Sequence, residues 1–70
     1  MVKIINAVED EKPSTLNIEY KNITLEELIS ELSIDKMHVG AVLINGVPKR
    51  LKEKIVDDSV IYILPILGGG

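Results

Sequence analysis

Apolar and polar positions at the start of the chain predict a β-hairpin. Residues 2–8 are apolar except for one lysine and one asparagine, which is typical of a mostly buried strand. The polar, proline-containing segment that follows predicts a turn. Residues 15–21 then alternate, with Leu16, Ile18 and Tyr20 on one face, so we expect a second, half-exposed strand.

The next segment has helical spacing. Thr24 and Glu27 form the sequence signature of a capping box, in which each side chain accepts a hydrogen bond from the other residue's backbone N–H. Four apolar residues then share one helical face: Leu25, Leu28, Ile29 and Leu32. Glutamates in the first turn suit the positive end of the helix dipole. The pattern predicts one amphipathic helix that ends near Ser33.

A second hairpin is predicted in the middle of the chain. Residues 39–44 have the apolar composition of a strand, and Asn45-Gly46 is a strong signal for a tight turn. Val47-Pro48 begins a short segment that proline confines to a sheet edge or excludes from the sheet. Residues 51–56 are expected to be irregular or to form a single helical turn.

The last apolar segment predicts the central strand of a sheet. An acidic turn at Asp57-Asp58-Ser59 precedes it, and Pro65 ends it. Residues 60–64 are apolar on both faces, as in a strand from the middle of a sheet. Because one amphipathic helix covers only one face of a sheet, we expect the opposite face to be partly exposed.

The predicted order is strand, strand, helix, strand, short strand, strand. This order is typical of the α+β class and of the β-grasp (ubiquitin-like) fold, a mixed sheet of four to five strands packed on one main α-helix. We expect residues 1–67 to form this domain and residues 68–70 to be a flexible C-terminal glycine tail. The fold class alone does not define a function.

Composition and charge narrow the possible functions. The chain has 70 residues and no cysteine, so neither a disulfide nor a thiolate nucleophile or metal ligand is available. The net charge is −3 and aromatic residues make up 3%, whereas nucleic-acid binding generally needs a basic surface and aromatic stacking platforms. With one histidine and no candidate catalytic triad, we do not expect an autonomous enzyme, a metal site or a nucleic-acid partner.

The sequence does not predict a targeting or membrane segment. Its first residues become polar too soon for a signal peptide. The longest apolar run, residues 60–67, is far shorter than a membrane span. We therefore expect a cytoplasmic protein without membrane contacts.

The sequence ends in Gly68-Gly69-Gly70, which admits two interpretations. These glycines can be a frayed end or a cloning scar, because termini are often disordered. Alternatively, a segment without β-carbons can thread a narrow channel and deliver its carboxylate to an enzyme. Residues 62–67, which directly precede the glycines, carry no charge. Apolar residues next to a flexible terminus would promote aggregation unless a partner binds them, so they favour the second interpretation.

Three segments of the second half carry a resemblance to a known family. Residues 44–50 contain a strand, an asparagine turn and a basic residue, and residues 57–65 contain an acidic turn and the last strand. Leu67-Gly68-Gly69-Gly70 contains a diglycine end. In these features the sequence resembles the ThiS and MoaD proteins, which are bacterial and archaeal sulfur carriers. It departs from them at Asp57-Asp58-Ser59, where Asp-Gly-Asp is common, and in its third glycine, which makes Gly68 a spacer.

The resemblance implies a co-substrate rather than an enzyme. In the family, an E1-like adenylating enzyme activates the terminal carboxylate, here that of Gly70, and itself binds the ATP and the metal. A persulfide sulfur-donor protein then supplies sulfur, and the resulting thiocarboxylate passes it to an acceptor synthase of thiamine or molybdopterin biosynthesis. Gly68 and Gly69 would thread the channel of the partner, and the chain itself would hold no cofactor.

Two groups of residues are candidates for partner binding. The apolar group lies around the last strand and comprises Ile63, Pro65, Ile66 and Leu67. The basic group is Lys49 and Arg50, with two further lysines close behind. It is either a docking patch for an acidic surface or an ordinary solvated surface. His38, the single histidine, has no neighbours at ligand spacing and is expected in a loop.

Two other functions remain compatible with these residues. Some archaeal relatives of the family are attached through the terminal glycine to lysines of other proteins, so a protein modifier is one alternative. A non-catalytic β-grasp interaction module with an incidental tail is the other. A carrier and a modifier share the same activation chemistry, and the sequence does not separate them.

Overall fold

A computed structural model describes residues 1–8 and 12–66 of the chain. Its strands are β1 (Val2–Asn6), β2 (Ser14–Ile18), β3 (Val39–Ile44), β4 (Val47–Lys49) and β5 (Val60–Pro65). The helix α1 spans Leu25–Glu31, and a short 3₁₀ helix spans Lys36–His38. Among the described residues, no helix is long and apolar enough to cross a membrane. The element order is the predicted one, with the 3₁₀ helix added before β3.

The strands form one five-stranded mixed sheet in the order β2-β1-β5-β3-β4. β1 and β5 run parallel, and the other neighbouring pairs are antiparallel. β5 therefore lies at the centre of the sheet, as its continuous apolar sequence predicted. The short, proline-containing β4 lies at an edge, which was the first of the two predicted alternatives.

The helix covers one face of this sheet. On β5, Ile61 and Ile63 have no exposed surface and pack in one cluster with the buried face of α1. The other members of this core are Val2, Ile4, Leu25, Leu28, Ile29, Ile34, Val42, Ile44 and Ile55. Tyr62, on the opposite face, is 39% exposed. These features confirm the α+β class and a β-grasp-like fold with one face of the sheet partly exposed.

β2 is more exposed than its alternating pattern suggested. The strand ends at Ile18, so Tyr20 lies outside it. Leu16 pairs with the buried Ile4 and shares its face, yet Leu16 is 46% exposed. β2 is an edge strand, and within it only Ile18 packs against the core. The alternation predicted a strand that overlaps β2, but the inward face of β2 is only partly buried because this strand lies at the edge of the sheet.

The capping box predicted at the start of α1 is present. The Thr24 hydroxyl accepts a hydrogen bond from the Glu27 N–H at 3.1 Å, and the Glu27 carboxylate accepts one from the Thr24 N–H at 3.0 Å. The hydrogen bonds from the Thr24 backbone and side chain favour the charged carboxylate and lower the pKa of Glu27 from its ordinary value. The helix ends at Glu31, close to the predicted end near Ser33.

Both predicted turns adopt the backbone that their residues favour. Asn45 and Gly46 have φ angles of 51° and 83°, as required for a tight turn between antiparallel strands. Asp58 has a φ of 55°, a region that aspartate tolerates, and its N–H donates to the Asp57 carboxylate at 2.8 Å. The segment before this turn is irregular, and it contributes Ile55 to the core.

Candidate functional site

The candidate site lies where β5 ends and the chain continues toward its glycines. β5 ends at Pro65, and Ile66 follows with 60% of its surface exposed. The next four residues, Leu67, Gly68, Gly69 and Gly70, lie outside the described residues. Their predicted roles in partner binding, channel threading and activation stay predictions, as does the predicted flexibility of the glycine tail.

Two contacts hold the end of β5 against the start of β3. The Ile66 N–H donates a hydrogen bond to the His38 carbonyl oxygen at 3.2 Å. Gly40 lies so close that a Cβ built on it would overlap the Pro65 carbonyl oxygen and lie 2.8 Å from the Ile66 Cα. The β3–β5 pairing also shifts its register next to Gly40. Pro65 and Ile66 therefore rest on β3 through backbone contacts.

Ile63, one of the predicted partner-binding residues, is buried in the core. Its side chain has no exposed area and lies in the core with Ile61. The sequence grouped Ile63 with Pro65 among the candidates for partner binding, but alternation along the strand turns residue 63 toward the helix. This assignment is therefore corrected, and Ile63 is a core residue. Pro65 is half-buried and Ile66 is exposed, so both remain accessible to a partner.

The face of the sheet turned away from α1 carries an apolar patch. Tyr62 lies at its centre and is paired with Ile5 on β1 and with Leu43 on β3. Leu64, paired with Ala41, extends the patch toward the end of β5. Tyr62 and Ala41 are exposed, and the other three residues are half-buried. We call these five residues the open face.

Sequence reasoning predicted a partly exposed face of the sheet but did not assign Tyr62 to it, because residues 60–64 are apolar on both sides of the strand. A period of two then identifies a strand without choosing which of its faces is exposed. One signal was available. Tyr62 carries the single polar group among the side chains of β5, and a tyrosine hydroxyl favours the wet side.

Lys49 and Arg50 lie on the side of the sheet where β5 also ends. β4 and β5 are both antiparallel to β3, so they run in the same direction and end at the same edge. Lys49 pairs with Val42, which pairs with Ile63, and two strand spacings of this kind amount to about 10 Å. Lys49 is half-buried and Arg50 is exposed.

Within residues 1–8 and 12–66, neither Lys49 nor Arg50 forms an ion pair. The backbone N–H of Arg50 donates to the Glu53 carboxylate at 2.8 Å, which fixes the chain just after β4. The arrangement is compatible with a docking patch, and that role stays a prediction.

The 3₁₀ helix flanks the end of β5 on the β3 side. His38 belongs to this helix rather than to a loop, and its exposed side chain places Nδ1 3.9 Å from Asp35 Oδ2. Lys36 Nζ lies 3.3 Å from Glu26 Oε2. In the part of the chain that the structure describes, no group of three or more His, Asp or Glu side chains could hold a metal ion.

These features define the class of the protein: a β-grasp-like α+β domain with an apolar open face beside its central strand. No model of a known protein family matches the sequence. A search of curated proteins gives no significant match either. The function is therefore argued from the residues of the site.

Proposed function

We propose that this protein is a ubiquitin-like sulfur carrier that works through the carboxylate of Gly70. The central observation is that β5, whose Tyr62 lies at the centre of the open face, continues through Pro65 and Ile66 into the sequence Leu67-Gly68-Gly69-Gly70. A glycine segment can enter a narrow channel because it has no side chains. The resemblance of the sequence to the ThiS and MoaD proteins supports the same function.

A free carboxylate is a poor acyl donor, so activation comes first. On an E1-like adenylating enzyme, the Gly70 carboxylate attacks the α-phosphorus of ATP, pyrophosphate leaves and an acyl adenylate forms. The terminal sulfur of a persulfide on a sulfur-donor protein then attacks the Gly70 carbonyl carbon, and AMP leaves. A thiol cleaves the resulting acyl disulfide and ends in a disulfide with the donor. A thiocarboxylate remains on Gly70.

In this scheme the folded domain is the part that the enzyme holds. The open face offers apolar area with an aromatic residue, Tyr62, at its centre, which is the composition favoured in interface cores. Lys49 and Arg50 at the same edge can steer association with an acidic surface. Ile66 lies between the open face and the glycines, so an enzyme bound to the open face has the glycines within reach.

The thiocarboxylate is a good nucleophile at neutral pH and passes its sulfur to an acceptor synthase. Two destinations fit this chemistry, the thiazole of thiamine and the dithiolene of molybdopterin. Val47-Pro48 and the third glycine resemble the thiamine branch more closely, whereas Leu64-Pro65-Ile66 resembles the molybdopterin branch. Sulfur transfer to each acceptor synthase in vitro distinguishes the two.

The intact mass of the protein tests the proposal. The chain is incubated with ATP, a persulfide donor and an E1-like enzyme that is active on another carrier. We expect a mass gain equal to the replacement of one oxygen by one sulfur. Deleting Gly70, or adding one residue after Gly70, should abolish this gain without changing the thermal stability. No gain with the unaltered chain would contradict the carrier function.

Two further experiments would identify the alternative functions, a protein modifier and an interaction module. A Gly-Gly remnant on lysines of other proteins after digestion would assign the chain as a protein modifier, with the same activation at Gly70. Biological activity that survives the deletion of Gly69 and Gly70 would assign it as an interaction module. Each result therefore names one function.

A further inference from the structure

Gly40 is the residue of β3 on which the end of β5 rests. A Cβ at this position would overlap the Pro65 carbonyl oxygen and lie 2.8 Å from both the Pro65 carbonyl carbon and the Ile66 Cα. Gly40 is exposed, but the atoms that a Cβ would meet are backbone atoms, and a Cβ does not lie within 3.0 Å of such atoms in folded proteins. A glycine inside a strand often marks such an approach of another backbone. Any side chain at this position would therefore force a displacement.

Space, and not backbone conformation, requires a glycine at this position. Gly40 is not among the residues with positive φ, so alanine could adopt its backbone conformation. Gly46 is the opposite case, because its φ is 83° and nothing lies within 4 Å of a Cβ added to it. Alanine at Gly46 strains the backbone without touching β5. The two glycines are thus a matched pair for an experiment.

The displacement caused by a side chain at Gly40 falls on Pro65 and Ile66. On the β3 side, the neighbouring Val39 packs against the core. On the other side, Ile66 is 60% exposed and its backbone N–H is held by one hydrogen bond of 3.2 Å to the His38 carbonyl oxygen. The less firmly held segment moves at lower cost. Ile66 should therefore leave its position while the rest of the sheet keeps its register.

We propose that Gly40 is a positioning residue that sets where and in which direction the chain leaves the sheet toward Gly70. The consequence for activation rests on the proposed function. Inside a narrow channel the glycines must be extended, at most about 3.6 Å per residue, so they cannot absorb a shift of their origin by coiling. A misplacement of about 1 Å at a reacting group can cost about 100-fold in rate. A displaced Ile66 therefore slows activation while the contacts of the open face remain.

Hydrogen exchange in the free, full-length protein is the first measurement. It compares Gly40→Ala with Gly46→Ala and needs no partner. In Gly40→Ala, the amide of Ile66 should lose its protection, while the amide of Ile63 in the interior of β5 keeps its own. In Gly46→Ala, the protection of the Ile66 amide should be unchanged.

The kinetics of thiocarboxylate formation are the second measurement. For Gly40→Ala we expect kcat to fall about 10- to 100-fold, with KM for the carrier changed less than about two-fold. For Gly46→Ala we expect kcat and KM like those of the unaltered chain. Both variants are expected to lose stability. If lost stability alone lowered kcat, Gly46→Ala would lower it as well as Gly40→Ala.

Each possible result decides the proposal. It is overturned if the Ile66 amide stays protected in Gly40→Ala, or if the kcat of this variant equals that of Gly46→Ala. If the unaltered chain is no substrate for an enzyme that is active on another carrier, the proposed function fails, and hydrogen exchange alone decides whether Gly40 positions Ile66.

If Gly40→Ala does not fold, Ile66→Pro replaces it, because proline removes the N–H donor and leaves Gly40 in place. An unchanged kcat in Ile66→Pro would then overturn the proposal.

Discussion

Asn45 and Val60 are joined by two hydrogen bonds. The Asn45 N–H donates to the Val60 carbonyl oxygen at 2.9 Å, and the Asn45 Oδ1 accepts from the Val60 N–H at 2.9 Å. The turn between β3 and β4 thereby holds the first residue of the central strand β5. These two hydrogen bonds therefore contribute to the stability of the fold where β5 begins.

Replacing Asn45 should destabilise the fold. Asn45→Ala removes the acceptor for the Val60 N–H and places a residue with a Cβ at a φ of 51°. We expect a loss of about 1–2 kcal/mol in the free energy of unfolding, measured by urea denaturation. Asn45→Gly is the matched control, since it removes the acceptor and keeps the backbone freedom. Equal stability of Asn45→Ala and the unaltered chain would contradict the role of this pair.

The capping box should make the stability of the fold depend on pH. In the folded protein, the hydrogen bonds from Thr24 lower the pKa of Glu27 below its ordinary value of 4.5. In the unfolded chain these hydrogen bonds are absent, and the ordinary value applies. The charged carboxylate therefore stabilises the fold above that pH, and this contribution is lost as the pH falls through the folded pKa. The Tm difference between the unaltered chain and Glu27→Gln should be largest at neutral pH and shrink in acid. A difference that is constant from neutral to acid would contradict this account.

Thr24 carries the other half of the same box. Thr24→Ala removes the acceptor of the Glu27 N–H and should lower the free energy of unfolding by about 1 kcal/mol. Thr24→Ser keeps the hydroxyl and is the control, with a smaller loss. Thermal or urea unfolding at neutral pH measures both variants, and equal losses in the two would show that the hydroxyl is not what matters.

Substitutions at Ile63 and Tyr62, which are neighbours in β5, should affect different properties: the first mainly stability, the second mainly binding of the activating enzyme. Ile63→Ala opens a cavity in the core and should cost about 2–5 kcal/mol, measured by denaturation. Tyr62→Ala removes a side chain that is 39% exposed, so it should cost less stability and raise KM for the activating enzyme. Leu16→Ala, on the edge strand and 46% exposed, is the control for loss of exposed apolar area and should leave KM unchanged. If Leu16→Ala raised KM as much as Tyr62→Ala, the open face would not be the docking surface.

The basic group should affect how fast the partners meet. Arg50→Glu should lower the association rate with the activating enzyme, and the loss should shrink at high salt, because steering between exposed charges is screened. Lys21→Glu makes the same change in net charge next to Glu31, with which Lys21 forms an ion pair at 2.6 Å. Stopped-flow association rates at two salt concentrations compare the variants. Equal rates for both would assign Lys49 and Arg50 to the ordinary solvated surface.

Local features of the fold were predictable from the sequence because the interacting residues are neighbours in the chain. The capping box joins Thr24 to Glu27, and the Asn45-Gly46 turn depends on the φ angles that these two residues tolerate. The central place of β5 followed from its continuous apolar composition. In each case the signal and its partner lie within one segment.

The tertiary structure decided which side of each strand is covered. β5 is apolar on both faces, so only its pairing with β1 and β3, and the position of α1, turn Ile63 inward and Tyr62 outward. Leu16 alternates correctly and is still exposed, because β2 lies at the edge of the sheet and within it only Ile18 packs against the core. Exposure is a property of packing between distant segments, which a period of two in the sequence does not contain.

The sequence by itself therefore determined the five strands, the main helix, their order and the central strand that leads to Gly68-Gly69-Gly70. Only the tertiary structure showed that the open face is built around Tyr62 and that Gly40 supports Pro65 and Ile66. Gly40 looks like any small residue in its own segment. Its role arises because folding brings it against a backbone that is distant in the sequence, and the atoms of that backbone occupy the space that a Cβ would need.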